Sequence, residues 1–331
     1  MVGFRGFTIG SDDPITRAVA AGLGGVILFD RDRVTGTRNI ASPRQLAALT
    51  ASLRSAAPGN LIVAIDQEGG RVSRLKPAQG FPDTRSQAEI GATADPDQAF
   101  EAGRSMAAAM AAAGIDLDLA PVVDVNVHPA NPAIGALERS FSSEPSVVAT
   151  MAEAEIHGLH ELGVRAAIKH FPGLGSASAN TDLDDVDVTA TWTEAELEPF
   201  ATLIAAGLPD AVMTGHFVND KLDPGIPASL SVATVDGLLR RRLGWTGAVI
   251  TDDLGAEAIA SHSTREEAVV LALEAGNDLL LFANQTVYVP DLASELVEII
   301  LEAVASGRIT EARIDQSIER LDVLAVGSAI E

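Results

Sequence analysis

Carboxylates, a lysine and a histidine recur at the ends of short apolar runs in this chain. The sharpest case is "AVITDDL" (248–254), where Asp252 and Asp253 close a hydrophobic strand candidate. Side chains alternate across a strand, so the two aspartates face opposite sides. A carboxylate held there can attack an electrophilic carbon or stabilise a developing cation. It can also cap the following turn, a role that suits Asp253 and leaves Asp252 for chemistry. In "IKHFPG" (168–173), Lys169 and His170 end an apolar run. Burying them unpaired would cost free energy, so carboxylates or a hydroxyl-rich ligand must satisfy them. "IDQEGGRVSRL" (65–75) sets Asp66 ahead of two glycines, Arg71 and Arg74; a cap and a turn explain the aspartate and glycines as well as binding does. "LERSFSSEP" (137–145) offers Arg139, which could bond ligand hydroxyls or pair with Glu138. His216 closes "AVMTGH" (211–216). Asp66, Arg74, Arg139, Lys169, His170 and His216 are thus the candidate ligand-binding side chains.

Positioning these groups takes repeated strand-helix units. Strand candidates are 6–10, 25–29, 61–66, 115–122, 164–171, 211–216, 248–253 and 278–282. Helical patterns fall at 14–22, 43–55, 97–113, 145–162, 193–206, 231–242, 265–275 and 289–305. Several open with cap chemistry, such as Ser42-Pro43 and Thr193-Glu194. Eight buried-type strands, each followed by a helix, predict an α/β fold of the (β/α)8 TIM-barrel type, with an open doubly wound sheet as the alternative. No low-complexity linker divides the chain, so residues 1–331 are expected to form one domain. In a barrel all the strand C-terminal ends lie on one face, the face that carries active sites. Polar residues at five of those ends, including Asp124 and Asn126 after the fourth strand, point to a small-molecule cleft.

Composition removes other classes. The net charge of −23 repels nucleic acid and anionic membranes, so neither is expected as a partner. No apolar run reaches membrane-spanning length, and the opening "MVGFRGFTIG" lacks a basic segment followed by an apolar one. A cytoplasmic location is the expectation. With no cysteine, disulfides, thiolate nucleophiles and cysteine zinc sites are excluded. Gly22, Gly24 and Gly25 follow a helix and precede a strand, the wrong order for a phosphate-cradling turn. His157 and His160 read as a solvated helix face rather than a metal site, because no further ligand is identifiable. No G-x-S-x-G elbow supports a serine esterase.

Taken together, "IDQEGGRV", "RSF", "KHFPG" and "VITDDL", in this order and near strand ends, resemble glycoside hydrolase family 3. The similarity is to its single-domain bacterial β-N-acetylglucosaminidase (β-hexosaminidase) branch, associated with cell-wall recycling. "GGVILF", "APVVDVN", "NPAIG" and "PASLS" extend the match to about residue 284. The resemblance implies a barrel, a retaining mechanism and no metal or organic cofactor. It makes Asp252 the counterpart of the family nucleophile, and Asp66, Arg139, Lys169 and His170 those of the residues that hold sugar hydroxyls. That branch normally has a helix before its first strand, whereas here the chain opens at "MVGFRGF", so one end of the barrel is expected to be less covered.

The loop after Lys169-His170 departs further. The branch carries a G-H-G turn and, beyond it, an Asp-Ser-His whose Asp-His dyad is the acid/base. Here those segments read Gly173-Leu174-Gly175 and Asn180-Thr181-Asp182. Asp182 therefore stands where the histidine would, and is the expected proton donor, on a loop whose glycines allow a swing. The resulting expectation is an exo-acting retaining β-glycosidase acting on terminal β-N-acetylglucosamine of cell-wall-type or chitin-type saccharides. The alternatives are a β-glucosidase-like or xylosidase-like specificity, and a sugar-binding pseudoenzyme.

Overall fold

The computed structural model describes residues 1–285 and 287–326. Eight parallel strands form one sheet in sequence order: β1 (Val2–Gly3), β2 (Gly25–Leu28), β3 (Ile62–Ile65), β4 (Leu117–Asp118), β5 (Arg165–Phe171), β6 (Ala211–Thr214), β7 (Ala248–Asp253) and β8 (Leu279–Leu281). A parallel bridge from Val2 to Phe282 joins the last strand to the first, with Gly3 N–H donating to Phe282 O at 2.8 Å. The expected (β/α)8 barrel is therefore the observed fold. Two strand expectations need correction. Residues 6–10 form no strand, because β1 lies earlier, at Val2–Gly3. The 115–122 run forms a strand over Leu117–Asp118 and then only an isolated bridge from Val122 to Lys169, since Pro121 can donate no ladder bond.

The barrel is wrapped by α1 (Pro14–Ala20), α2 (Pro43–Ala56), α3 (Pro96–Ala112), α4 (Pro145–His160), α5 (Glu198–Ala205), α6 (Ala233–Arg242), α7 (Arg265–Ala275), α8 (Leu292–Ala305) and α9 (Glu311–Val326). Ser42 caps α2 as expected, accepting from Gln45 N–H at 3.3 Å, with Pro43 in the first turn. Thr193 does not cap through its side chain. Strand alternation divides the apolar residues into two layers. Ile27, Ala64, Leu117, Ala167, Met213 and Ile250 fill the barrel interior, while Val26, Leu28, Val63, Ile65, Val212 and Val249 pack outward beneath the helices. The abundant alanine and glycine let α3 and α4 approach closely; a Cβ at Gly103 would collide with the Glu155 carbonyl.

Helix α9 was not legible in the pattern of strand-helix units, and it covers the end expected to be bare. Its Leu324 joins Met1 and Leu279 in the interior cluster. Asp278, just ahead of β8, fastens it there through Arg313 (3.4 Å) and Arg320 (3.0 Å), and also holds Arg240 of α6 at 2.7 Å.

Under the sheet lies an unusual cost. Glu155 on α4 is fully buried, and neither carboxyl oxygen has a hydrogen-bond partner among the described residues. Burial, reinforced by Asp118 and Glu68, pushes its pKa well above the ordinary carboxylate range. The folded state thus holds a proton that the unfolded chain releases above about pH 4.3. Stability falls with rising pH from there until the folded-state pKa is passed. Glu155→Gln should therefore melt higher than wild type at pH 8, by roughly 2–4 °C per kcal/mol recovered, with the advantage vanishing near pH 4. Thermal melts at the two pH values check this, and a variant no more stable at pH 8 contradicts it.

Candidate active site

The ends of β3, β5 and β7 meet at one mouth of the barrel around a cavity of about 350 Å³. That volume lies at the low end for ligand pockets, roughly 300–1,000 Å³. Strand β5 contributes two consecutive polar side chains. Its pairing with β6 shifts register between Ile168 and Phe171, and Lys169 and His170 both line the cavity. Such irregularities re-aim side chains that a regular strand would send to opposite faces.

Lys169 is buried between two carboxylates, Asp66 at 2.8 Å and Glu68 at 2.6 Å. Arg139 grips Glu68 with both arms of its guanidinium, at 2.7 and 2.8 Å, and Arg74 reaches Asp66 at 3.2 Å. Arg139 therefore pairs across the barrel rather than with its neighbour Glu138, which faces Arg71 at 3.7 Å. Gln67 makes the Asp66–Arg74 contact possible: its Oε1 accepts from the backbone N–H of both Arg74 and Leu75 at 3.0 and 2.9 Å, folding the loop back. Burial alone would raise both acids. Lys169 and Arg74 override it at Asp66, and Arg139 and Lys169 hold Glu68 at about 2. Both acids are therefore ionised and the cations charged, giving a rigid array of donors and acceptors suited to hydroxyl groups.

His170 links this array to β7. Its Nδ1 lies 2.7 Å from Asp124, and Arg139 approaches its Nε2 at 3.3 Å. A guanidinium can only donate, so Nε2 accepts and the ring proton sits on Nδ1, toward Asp124. Asp252 lies beyond, 3.9 Å from His170 Nε2, with its Oδ1 accepting the Asp253 N–H at 2.8 Å. Asp253 turns to the backbone, accepting from Gly255 N–H (3.0 Å) and Ala283 N–H (2.9 Å), while burial raises its carboxyl to about 6. The division of roles between the two aspartates follows from these contacts.

Asp182 lines the same cavity as Asp252. The residue is exposed where its loop meets the cavity, so only partial loss of water raises its pKa, and repulsion from Asp252 adds to that. Asn180 sets the local turn, its Oδ1 accepting Asp182 N–H at 3.0 Å. Gly175 serves close packing, since a Cβ there would collide with the Val125 carbonyl, while Gly173 takes a φ of +115° that side chains disfavour. His216 is buried with Nδ1 2.7 Å from Ser229 Oγ, and it lines a neighbouring apolar cavity rather than this one. Asp66, Arg74, Arg139, Lys169, His170, Asp182 and Asp252 are thus brought together, and His216 adjoins Asp252 and Asp182 from the neighbouring cavity. Glu68 and Asp124 complete the site. Both were visible as strand-end polar residues, but only their partners reveal what they do. His160 is taken by Asp210 at 2.7 Å, and no cluster able to hold a metal occurs among the described residues.

Residues 16–324 match the family described as the glycosyl hydrolase family 3 N terminal domain, further along the chain than the motifs alone reached. The chain belongs to glycoside hydrolase family 3. A β-hexosaminidase of Xylella fastidiosa (strain M23) is 39% identical over 299 residues, covering 88% of this chain and 82% of that protein. The family 3 β-N-acetylglucosaminidase structure from Paenibacillus sp. (str. FPU-7) aligns with all of this chain at 35% identity and a TM-score of 0.90, and this chain spans 62% of it. The β-N-acetylhexosaminidase of Beutenbergia cavernae aligns over 98% of this chain and 96% of its own, at 34% identity and a TM-score of 0.87. This family 3 chain is therefore a glycoside hydrolase, and no helix among its described residues is long and apolar enough to cross a membrane.

Removing Lys169 would leave Asp66 and Glu68 with too little positive charge. Breaking a buried pair from one side costs about 3–5 kcal/mol. Lys169→Met should lose that much stability at pH 7 and at least ~100-fold in kcat/KM. Glu68 is depressed when folded, so its contribution is present above its unfolded pKa of about 4.3 and is lost as pH falls toward 2. The stability gap between wild type and Lys169→Met should accordingly narrow below pH 4. Denaturant titrations at pH 7 and 3 check this; a gap that widens at pH 3 contradicts it.

Proposed function

We propose that this protein is an exo-acting retaining β-N-acetylhexosaminidase, with Asp252 as nucleophile and Asp182 as acid/base. The observation that carries the reading is the pairing state of the cavity's carboxylates. Asp66 and Glu68 are spent on cations, whereas Asp252 and Asp182 share the cavity with no ion pair to a lysine or arginine among the described residues. Two free carboxyls flanking one bond are what glycoside hydrolysis by retention needs. Asp66, Arg74, Arg139, Lys169 and His170 bind the hydroxyls of one terminal sugar, and the small cavity suits exo action. The N-acetylhexosaminide specificity is supported by the names of the relatives above. Cell-wall-type or chitin-type saccharides, met in the cytoplasm, extend the proposal on the resemblance to the single-domain branch.

The electrostatics let one carboxyl serve twice. Before reaction, partial desolvation and the negative Asp252 favour the protonated form of Asp182, which gives its proton to the leaving oxygen while Asp252 attacks the anomeric carbon. Once Asp252 is esterified its charge is gone, and Asp182 is left as the carboxylate that removes a proton from water. Hydrolysis of the ester then restores Asp252 and the sugar leaves with its configuration retained.

Asp182→Ala should lose at least ~100-fold in kcat/KM on an alkyl N-acetylglucosaminide yet stay within about threefold on a dinitrophenyl one, the range expected of general-acid work. Equal losses on both would place the proton donor elsewhere. Asp252→Ala should be inactive on both while its circular dichroism and melting point stay those of the wild type; near-wild-type turnover of the dinitrophenyl glycoside would remove the nucleophile assignment.

A carboxylate base also discriminates among acceptors, because an ionised Asp182 repels an incoming anion. Reaction in phosphate buffer should release free sugar and no sugar 1-phosphate. Phosphorolysis at a rate comparable to hydrolysis, read by ³¹P NMR, would contradict a carboxylate in the base role.

A further inference from the structure

The loop that carries Asp182 leaves β5 through Gly173, Leu174, Gly175 and Ser176, and two buried carboxyls grip that root. Asp124 accepts the Leu174 N–H at 2.7 Å, beside its bond to His170. Glu196, in the single turn Glu194–Leu197 ahead of α5, accepts the Ser176 N–H through Oε2 at 3.0 Å. Glu196 is fully buried, and its Oε1 has no hydrogen-bond partner among the described residues. Gly173 lies directly against it, at φ +115°, where an added Cβ would come within 2.8 Å of Glu196 Cβ.

A carboxyl so completely removed from water is costly, and the chemistry proposed above does not use it, since Glu196 does not line the cavity. Its position gives it another use. Ser176 lies six positions before Asp182. At the far side, Ala258 N–H donates to Thr181 O at 3.2 Å, and Asp185 meets His262 at 2.6 Å. Asp182 thus hangs between a clamped root and a tethered tip. Freeing the root would let the loop drift from the aglycone oxygen without touching Asp252 or the sugar-binding array.

We propose that Glu196 is the positioning residue for Asp182: by clamping the Ser176 N–H it sets the reach of the acid/base loop. The proposal rests on the reading of Asp182 as acid/base. Burial lifts the Glu196 carboxyl to about 7, with the Ser176 bonds opposing and Asp124 adding to the rise. Both of its forms keep an acceptor oxygen, so an amide should replace it.

The test measures kcat/KM of Glu196→Ala and Glu196→Gln on an alkyl and a dinitrophenyl N-acetylglucosaminide, beside Asp182→Ala. Glu196→Ala should lose ~10–100-fold on the alkyl substrate and less than about threefold on the activated one, a fraction of the full general-acid effect. Glu196→Gln should stay within about threefold of wild type on both. Should the alanine variant not fold, Glu196→Asp, which withdraws the carboxyl by one methylene, carries the same test with a loss of about fivefold on the alkyl substrate alone. Equal losses on both substrates, or none on either, while Asp182→Ala keeps its selectivity, would overturn the clamp and leave the acid assignment standing. If Asp182→Ala itself shows no selectivity, the acid assignment falls and this inference with it.

Discussion

Lys169 is a charged side chain 2% exposed at the mouth of a barrel, and it can exist there only because Asp66 and Glu68 face it. An unpaired buried ammonium would lose its charge or unfold the site. The rest of the array follows. Two carboxylates against one lysine are over-charged, so Arg139 and Arg74 are drawn in, and Arg139 in turn fixes which nitrogen of His170 carries the proton. Asp66 and Glu68 from the end of β3, Lys169 and His170 from β5, and Arg139 from the loop after β4 are each held by at least one other from a different segment, so the geometry is set before any ligand arrives. Preorganisation of this kind is what lets fixed donors act without reorganising during a reaction.

In the proposed mechanism the same pairing separates binding from chemistry. Cations exhaust the acids at the end of β3, while Asp252 is left without one at the end of β7, where the charge of an attacking group is needed. Asp182 comes from a loop instead of a strand, which suits a group that must be dry when it donates and wet when it accepts a proton from water. Its pKa is raised by partial desolvation first and by Asp252 second. The proposed nucleophile therefore tunes the proposed donor, and the loop's placement decides how strongly.

Much of this was legible in the residues. Strand-end Asp252, Lys169 and His170 stood out because polar groups ending apolar runs need a reason, and seven of the eight strands lay where the runs predicted. What escaped depends on distance along the chain. Glu68 meets Arg139 across 71 positions and Asp124 meets His170 across 46, and no local pattern encodes such partners. Strand β1 is two residues long, too short to show a period, so the more apolar-looking run at 6–10 was the stronger candidate. Helix α9 is amphipathic but follows the eighth unit, where a barrel needs no further helix. The histidine at 216 shares its strand-end position with the cavity residues, and its ring turns to Ser229 while staying near Asp252.

The central claim is that Asp252 and Asp182 divide one retaining displacement between them. The most direct measurement is the product that Asp182→Ala forms from a dinitrophenyl N-acetylglucosaminide in the presence of azide. Azide needs no base, so it should attack a glycosyl-enzyme stalled for want of Asp182, restoring turnover. The account predicts a β-glycosyl azide by NMR, its configuration that of the substrate. An α-glycosyl azide, or no rescue at any azide concentration, would contradict it.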